Sequence, residues 1–130
     1  MSHLQSTAYW NMPVSALSTF DPDDEDSWFF GIMSRDDATR LLSQHNEKGA
    51  FLVRESITAK GDLVLSVKES DEKVSHYIIN RIPSDKGQQV CFKIGEQLFS
   101  DIPALLTYYK LNNLDDTPLR TAATPKDSTM

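Results

Sequence analysis

The chain has 130 residues, a length that fits one domain, and its apolar and charged fractions of 39% and 25% are ordinary for a folded protein. The formal net charge of −6 argues against nucleic acid as a partner, and no apolar run approaches the ~20 residues of a membrane span. Cys91 is the one cysteine, which leaves it without a disulfide partner and argues against a metal cluster. We therefore expect no cofactor, no insertion into a membrane and a cytoplasmic location.

Composition divides the chain into a domain with two tails. Residues 1–27 are rich in Ser and other polar residues and end in an acidic run at 21–26. Because such runs are usually solvated, we expect 1–27 to be a disordered acidic N-terminal tail. Apolar residues recur periodically over 28–120, which predicts the folded domain. Residues 121–130 are rich in Thr, Ser, Pro and Lys and predict a flexible C-terminal tail.

The domain begins and ends with a predicted helix. Ser34 and Asp37 have the spacing of a capping box, and the apolar pattern that follows fades over 44–48. A second helix begins near Ser100 or Asp101, and Pro103 is tolerated in its first turn. The strands predicted between the helices cover 50–55, 63–67, 74–79, 90–94 and 96–99. Their short connections favour antiparallel pairing, so the pattern predicts an α+β fold in which each helix covers one face of a central antiparallel sheet.

Arg54 is the unexpected residue of the first strand after the helix. A strand alternates faces, so Leu52, Arg54 and Ser56 point one way, whereas Phe51 and Val53 point the other. A guanidinium beside buried apolar residues needs an anion, because it cannot lose its charge. A ligand can supply that anion. The alternatives are a distant Asp or Glu, or an arginine exposed at the end of a strand.

Other residues that can bind an anion lie near Arg54 in the predicted fold. Arg35 opens the first helix, His76 lies on a neighbouring strand, and Ser56, Thr58 and Lys60 belong to the loop that follows Arg54. Arginine donates charge-assisted, bidentate hydrogen bonds to phosphate oxygens, and hydroxyl groups can add further donors. Each residue alone is a weak signal, since a helix arginine is usually solvated and a strand histidine is usually packed.

Several segments of the chain resemble the Src-homology-2 family, and they occur in the order typical of that family. The resemblance is greatest to the Crk-type adaptor proteins. The resemblance covers about residues 27–120 and therefore nearly the whole predicted domain. Its segments are Trp28-Phe29-Phe30-Gly31 before Ser34-Arg35, the signature Phe51-Leu52-Val53-Arg54-Glu55-Ser56, Val74-Ser75-His76-Tyr77-Ile78-Ile79-Asn80, and Phe99 to Leu119 with Asp101-Ile102-Pro103-Ala104-Leu105-Leu106.

The resemblance implies that the domain binds phosphotyrosine in a first socket. Arg54 would grip the phosphate bidentately at the bottom of a deep pocket that phosphoserine is too short to reach. Arg35 would contact the phosphate and the tyrosine ring, the latter through a cation–π contact. Ser56 and Thr58 would donate further hydrogen bonds, and His76 would pack the pocket and touch the peptide backbone.

A second socket is implied on the other side of the sheet, where it would accept the third residue after phosphotyrosine. Tyr77 faces away from His76 and can therefore line it. The other wall positions, which make the wall apolar, are Ile94, Tyr109 and Leu114. Crk-type domains favour proline there, so the resemblance implies pTyr-x-x-Pro ligands. Many relatives carry a basic residue at the position of Ile78. This chain lacks that possible contact to the tyrosine ring, so the resemblance implies a larger contribution from Arg35.

The expected protein is thus a monomeric, non-enzymatic adaptor module in tyrosine-kinase signalling. Its partners would be tyrosine-phosphorylated proteins, which would recruit it to complexes near the membrane. One alternative is the same fold binding unphosphorylated partners. The other is an enzyme acting on phosphate esters, with Ser56, His76 and the arginines as its machinery.

Overall fold

A computed structural model describes residues 20–59, 61–83 and 90–123, and the statements below refer to these ranges. In chain order the elements are α1 (Glu25–Trp28), β1 (Phe29–Ile32), α2 (Arg35–Ser43), β2 (Ala50–Glu55), β3 (Leu63–Ser70), β4 (Lys73–Pro83), β5 (Val90–Ile94), β6 (Gln97–Phe99), α3 (Ile102–Leu111) and β7 (Thr121–Ala122). No helix in the described ranges is long and apolar enough to cross a membrane.

The strands form one sheet in the order β1-β2-β3-β4-β5-β6. The pairs from β2 to β6 are antiparallel, which confirms the predicted α+β fold with its central antiparallel sheet. Two short strands that the sequence pattern missed, β1 and β7, run parallel to β2. The hairpin of β3 and β4 is longer than predicted, because the polar residues 68–70 continue β3 up to a tight turn at 71–72.

Local side-chain caps set where the two longer helices begin. The Ser34 hydroxyl accepts a hydrogen bond from the amide of Asp37 at 3.0 Å, as the capping pattern predicted. The Asp101 carboxylate does the same for the amide of Ala104 at 2.8 Å, and Pro103 lies in the first turn of α3. Both helices therefore start with a satisfied backbone donor and at a defined point of the sheet.

Each face of the sheet carries its own apolar core. Phe51 and Val53 face α3 and contribute to the larger core, whereas Ala50 and Leu52 pack against Leu42 of α2 in the smaller one. This alternation confirms that one helix covers each face. It also places Arg54, two residues beyond Leu52, on the face of α2.

The N-terminal boundary of the folded domain lies earlier than the sequence predicted. Phe20 is buried and its ring meets that of Phe51 with centroids 4.5 Å apart. The backbone of 20–22 is held as well, because Lys110 Nζ donates to the carbonyl of Phe20 and Trp28 Nε1 donates to that of Pro22, both at 3.0 Å. The prediction of a disordered tail was therefore wrong for residues 20–27, and residues 1–19 lie outside the described ranges.

The C-terminal boundary also lies further along the chain than predicted. Thr121 and Ala122 pair with β2, and Ala123 is fully buried and donates its amide to the carbonyl of Phe51 at 2.8 Å. The prediction of a flexible tail was therefore wrong for residues 121–123, whereas residues 124–130 lie outside the described ranges. In both boundary segments a few apolar residues meet β2, and average composition does not reveal such long-range contacts.

Truncating Phe20 should destabilise the domain although it lies in the predicted tail. Phe20→Ala removes a buried ring, which typically costs about 3–5 kcal/mol, and a site near a chain end should fall at the low end of that range. Urea unfolding of the domain measures the change. Asp26→Ala, in the same segment but exposed, is the control and should change stability by less than about 0.5 kcal/mol. Equal stability of Phe20→Ala and the parent would contradict the packing of this segment.

Candidate functional site

Arg54 lies near the end of β2 with only 4% of its surface exposed. Its Nε donates to Ser66 Oγ at 3.1 Å, and its NH1 donates to the carbonyl of Met33 at 3.0 Å. Both acceptors are neutral, and neither of the ion pairs within the described ranges includes Arg54. Burial, followed by the charge of Arg35, lowers the pKa of Arg54. The structure thus buries a cation beside neutral protein acceptors only.

The hydrogen bonds around His76 define its tautomer. Thr39 Oγ1 donates to the carbonyl of Arg35 at 2.9 Å, so at its 3.0 Å contact with His76 Nε2 it accepts. Nδ1 then carries no proton and accepts from Ser66 Oγ at 2.7 Å, with Arg54 NH2 3.5 Å away. Burial, then Arg54 and Arg35, lower the pKa of His76 to about 4. His76 is therefore neutral and holds Arg54 and Ser66 in place.

Arg54 and His76 lie in a pocket of about 370 Å³, which we call the first pocket. All five residues predicted for the phosphate socket line it: Arg35, Arg54, Ser56, Thr58 and His76. The positive charges of its two arginines face no carboxylate in the lining, so the pocket suits an anion. Lys60, also considered from the sequence, lies outside the described ranges.

The loop between β2 and β3 forms one side of the first pocket. The amide of Ser56 donates to the carbonyl of Asp62 at 2.9 Å, which closes the base of the loop. Ser56 Oγ accepts from the amide of Ala59 at 3.0 Å and lies 3.2 Å from Thr58 Oγ1. Gly61 has a φ of +90°, a backbone conformation that residues with a side chain rarely adopt. The two hydroxyls are thus held together at the mouth of the pocket.

Ser66 and Thr39 are the residues of this site that sequence reasoning missed. Ser66 is a fully buried polar residue in an otherwise apolar run of β3, directly opposite Leu52 and His76 in the two neighbouring strands. Because Ser66 is a polar residue inside an apolar run and shares the face of Arg54, the sequence alone could have indicated that it belongs to the site. Thr39 carried none, because its contact with His76 depends on how α2 packs on the sheet. The other lining residues are Ser34, Ile57, Val64 and Ile78.

A second pocket of about 410 Å³ lies on the other side of β4. It brings together all four residues predicted for the specificity socket: Tyr77, Ile94, Tyr109 and Leu114. The prediction that its wall is apolar was wrong in part, since Glu96, Gln97, Asn113 and Asp115 also line it. These residues come from the turn between β5 and β6, from the first residue of β6 and from the loop after α3, and the strand pattern does not define the position of that loop. The pocket therefore combines aromatic rings with two carboxylates.

β4 separates two pockets of opposite character. His76 and Tyr77 are adjacent in sequence, and the alternation of the strand sends them to the first and the second pocket respectively. The first pocket can hold an anion with several donors, and the second can receive an apolar side chain between tyrosine rings. Within the described ranges no group of three or more His, Cys, Asp or Glu could hold a metal ion.

Comparisons with known proteins agree with this geometry. The sequence model of the family described as SH2 domain matches residues 28–109. The chain is 50% identical over 107 residues to the Adapter molecule Crk of Drosophila melanogaster, which aligns with 82% of this chain and 38% of its own length. The chain thus spans well under half of that curated relative.

Solved structures give the same result. CED-2 matches with a TM-score of 0.72 and 39% identity, over 80% of this chain and 64% of that one. The VAV1 SH2 domain complexed with a tyrosine-phosphorylated peptide from SLP76 matches with a TM-score of 0.61 and 25% identity, over 75% of this chain and 70% of that one. The chain therefore belongs to the SH2 domain family and is similar to the Crk-type adaptors.

Proposed function

We propose that this domain binds tyrosine-phosphorylated peptides and serves as the recognition module of a Crk-like adaptor in tyrosine-kinase signalling. The observation that carries the proposal is the buried guanidinium of Arg54, which has no carboxylate partner among the described residues and lines a pocket with a second arginine. A phosphate dianion would supply the missing charge. The VAV1 SH2 domain, a structural relative, was solved with a tyrosine-phosphorylated peptide.

Arg54 keeps donors for a ligand. A guanidinium has five N–H groups. One bonds Ser66, one bonds the carbonyl of Met33, and one points at His76 over 3.5 Å. This leaves one N–H on each terminal nitrogen, which is the pair that a bidentate bond to phosphate needs. In the proposal Arg54 binds the phosphate at the bottom of the pocket, with His76 holding the guanidinium in place.

The remaining residues of the first pocket would surround the phosphate and the ring. Arg35 would bond the phosphate and lie against the tyrosine ring, because it opens α2 at the side of the pocket. Ser56 and Thr58 would donate their hydroxyl protons at the mouth. Ile78 is apolar and half exposed, so the ring would contact it without a second cation.

The two alternatives are less well supported by the geometry. An enzyme would need His76 to activate Ser56, but His76 bonds Ser66 and Thr39, and Ser56 bonds the loop that contains it. Binding of unphosphorylated partners gives no reason to bury Arg54 without a counter-charge. We therefore expect no catalysis, and partners that are tyrosine-phosphorylated proteins.

The second pocket would receive the third residue after phosphotyrosine. Three residues of extended peptide span roughly 10 Å, enough to cross one strand between the two pockets. The rings of Tyr77 and Tyr109 with the side chains of Ile94 and Leu114 offer an apolar surface to proline. Proline also has less backbone freedom to lose on binding. We therefore propose pTyr-x-x-Pro ligands, bound by a monomeric cytoplasmic domain that phosphorylated complexes near the membrane recruit.

Replacing Arg54 should abolish most of the phosphopeptide affinity. Arg54→Ala removes the bidentate contact, and loss of a buried charged contact of this kind costs about 2–5 kcal/mol. Titration calorimetry with a pTyr-x-x-Pro peptide and its unphosphorylated form measures the loss, and circular dichroism verifies that the variant is folded. Arg40→Ala is the control, because Arg40 is an exposed arginine of α2 paired with Asp37. Near-parental affinity in folded Arg54→Ala would refute the assignment of the first pocket.

Changing the proline of the ligand to aspartate should weaken binding without abolishing it. The aspartate would meet Glu96 and Asp115 in the second pocket. Like charges brought together at an interface cost several kcal/mol, so we expect a loss of about tenfold or more. Calorimetry with the two phosphopeptides measures it, and Glu96→Gln should recover part of the loss for the aspartate peptide only. Equal affinity for both peptides would leave phosphotyrosine binding intact and reject the proline preference.

The neutral state of His76 predicts how stability depends on pH. The pKa of His76 falls from 6.5 in the unfolded chain to about 4 in the folded domain. Between these values the unfolded state binds more protons, so stability decreases as the pH falls through this window. His76→Gln lacks this titration, and the stability advantage of the parent over the variant should shrink accordingly. Urea unfolding of both proteins at several pH values measures the difference, and a constant difference would contradict a neutral His76.

A further inference from the structure

Glu69 is a fully buried carboxylate that the proposed phosphate pocket does not use. It lies near the end of β3, where Lys68 pairs with Val74 and Ser70 pairs with Lys73. This register leaves Glu69 as the extra residue of a β-bulge. Bulges of this kind are frequent beside functional sites, where they re-aim a side chain.

Two protein groups in the described part of the chain donate hydrogen bonds to the carboxylate of Glu69. The hydroxyl of Tyr77 donates to Oε2, and the amide of Asp116 donates to Oε1 at 2.8 Å. Within the described ranges neither ion pair involves Glu69. Burying a carboxylate without a cation is costly even when it is hydrogen-bonded. Packing alone therefore does not account for a buried carboxylate at this position.

One donor lines the second pocket, and the other lies next to its lining residues in a different part of the fold. Tyr77 is the β4 wall, and Asp116 follows Leu114 and Asp115 in the loop that forms the wall after α3. The loop is closed on itself, because the amide of Leu114 donates to the carbonyl of Thr117 at 3.1 Å, and Thr117 is buried. Holding Asp116 thus holds Leu114 at a defined distance from Tyr77.

A second contact joins the start of β4 to the loop after α3, and it is weaker. Lys73 and Asp116 form an ion pair at 3.5 Å, but about half of each side chain is exposed to solvent. Exposed ion pairs contribute little because water and salt screen them. Of these two contacts, the buried bridge through Glu69 is therefore the stronger.

We propose that Glu69 is a positioning residue for the second pocket: by bridging the Tyr77 hydroxyl and the Asp116 amide, it sets the width of the pocket that receives the third residue after phosphotyrosine. This inference rests on the proposed function. Glu69 does not touch the peptide and acts through Tyr77 and Leu114.

The protonation state of Tyr77 is consistent with this bridge. Burial, then the hydrogen bond to Glu69 and the neighbouring Asp115, raise the pKa of Tyr77. The phenol therefore keeps its proton at neutral pH and remains a donor to the carboxylate. The same contacts orient its ring against the space that the ligand would fill.

The test compares two phosphopeptides, pTyr-x-x-Pro and pTyr-x-x-Ala, on the parent domain and on Glu69→Gln. Glutamine has the same shape, but an NH2 group replaces one of the two oxygens, so the donors that meet different oxygens of Glu69 cannot both keep their acceptor. We expect the affinity for the Pro peptide to fall about threefold to tenfold, the size of one lost buried hydrogen bond, and the affinity for the Ala peptide to stay within about twofold. Glu72→Gln, which removes the same charge from the exposed hairpin turn, is the control and should change neither affinity.

Tyr77→Phe is the second variant, and it keeps the ring and the bond between Glu69 and Asp116. It should also lower the Pro-to-Ala affinity ratio, and the double variant with Glu69→Gln should lose no more than the larger single loss, because both act through one bridge. If Glu69→Gln fails to fold, the test rests on Tyr77→Phe: a lower Pro-to-Ala affinity ratio than the parent supports the positioning role, and an unchanged ratio overturns it.

The outcomes separate this inference from the proposed function. A folded Glu69→Gln that weakens both peptides equally, or neither, would overturn the positioning role while phosphotyrosine binding stands. Equal affinity of the parent for the two peptides would overturn the role as well. Failure of the parent to bind either phosphopeptide would instead refute the proposed function, and the inference with it.

Discussion

The buried guanidinium of Arg54 is the constraint on which the first pocket depends. A cation in this position needs acceptors, and the fold supplies three neutral ones: Ser66 of β3, His76 of β4 and the carbonyl of Met33 between β1 and α2. Because these acceptors are neutral, they orient the charge without cancelling it. The domain therefore carries the cost of a desolvated cation in the free state, and an anionic ligand would recover that cost on binding.

The alternation of β4 converts one strand into the divider of two chemically different sites. His76 extends the neutral network around Arg54 on the side of α2, and Tyr77 forms a wall of the second pocket on the side of α3. Positive charge is thereby concentrated on one side of the strand, and the carboxylates of Glu96 and Asp115 line the other. A chain with a net charge of −6 can in this way present a local cationic site.

Sequence patterns predicted the parts of this structure that depend on local rules. Strand alternation placed Arg54 on the face of the sheet that Phe51 and Val53 do not share, and the Ser34 cap marked the start of α2. Both predictions succeed because they follow from the backbone geometry of a few adjacent residues. The packing of Phe20 on Phe51 and the pairing of Thr121 with β2 join residues far apart in the chain, and composition averaged over a segment conceals them. The bridge through Glu69 was missed for a further reason: its acidic side chain near a hairpin turn has the pattern of a solvated residue, and only the bulge and the loop after α3 bury it.

Arg54 and Glu69 show two uses of a buried charge in one domain. Both side chains are buried, and both lack an oppositely charged protein partner within the described ranges. Arg54 still has an N–H on each terminal nitrogen beyond its protein bonds, so a ligand can complete its coordination. Glu69 has a donor on each oxygen from the protein itself, so its charge connects two walls and does not attract a ligand. Access therefore separates the two roles: Arg54 lines a pocket that a ligand can enter, whereas Glu69 is fully buried and meets only protein donors.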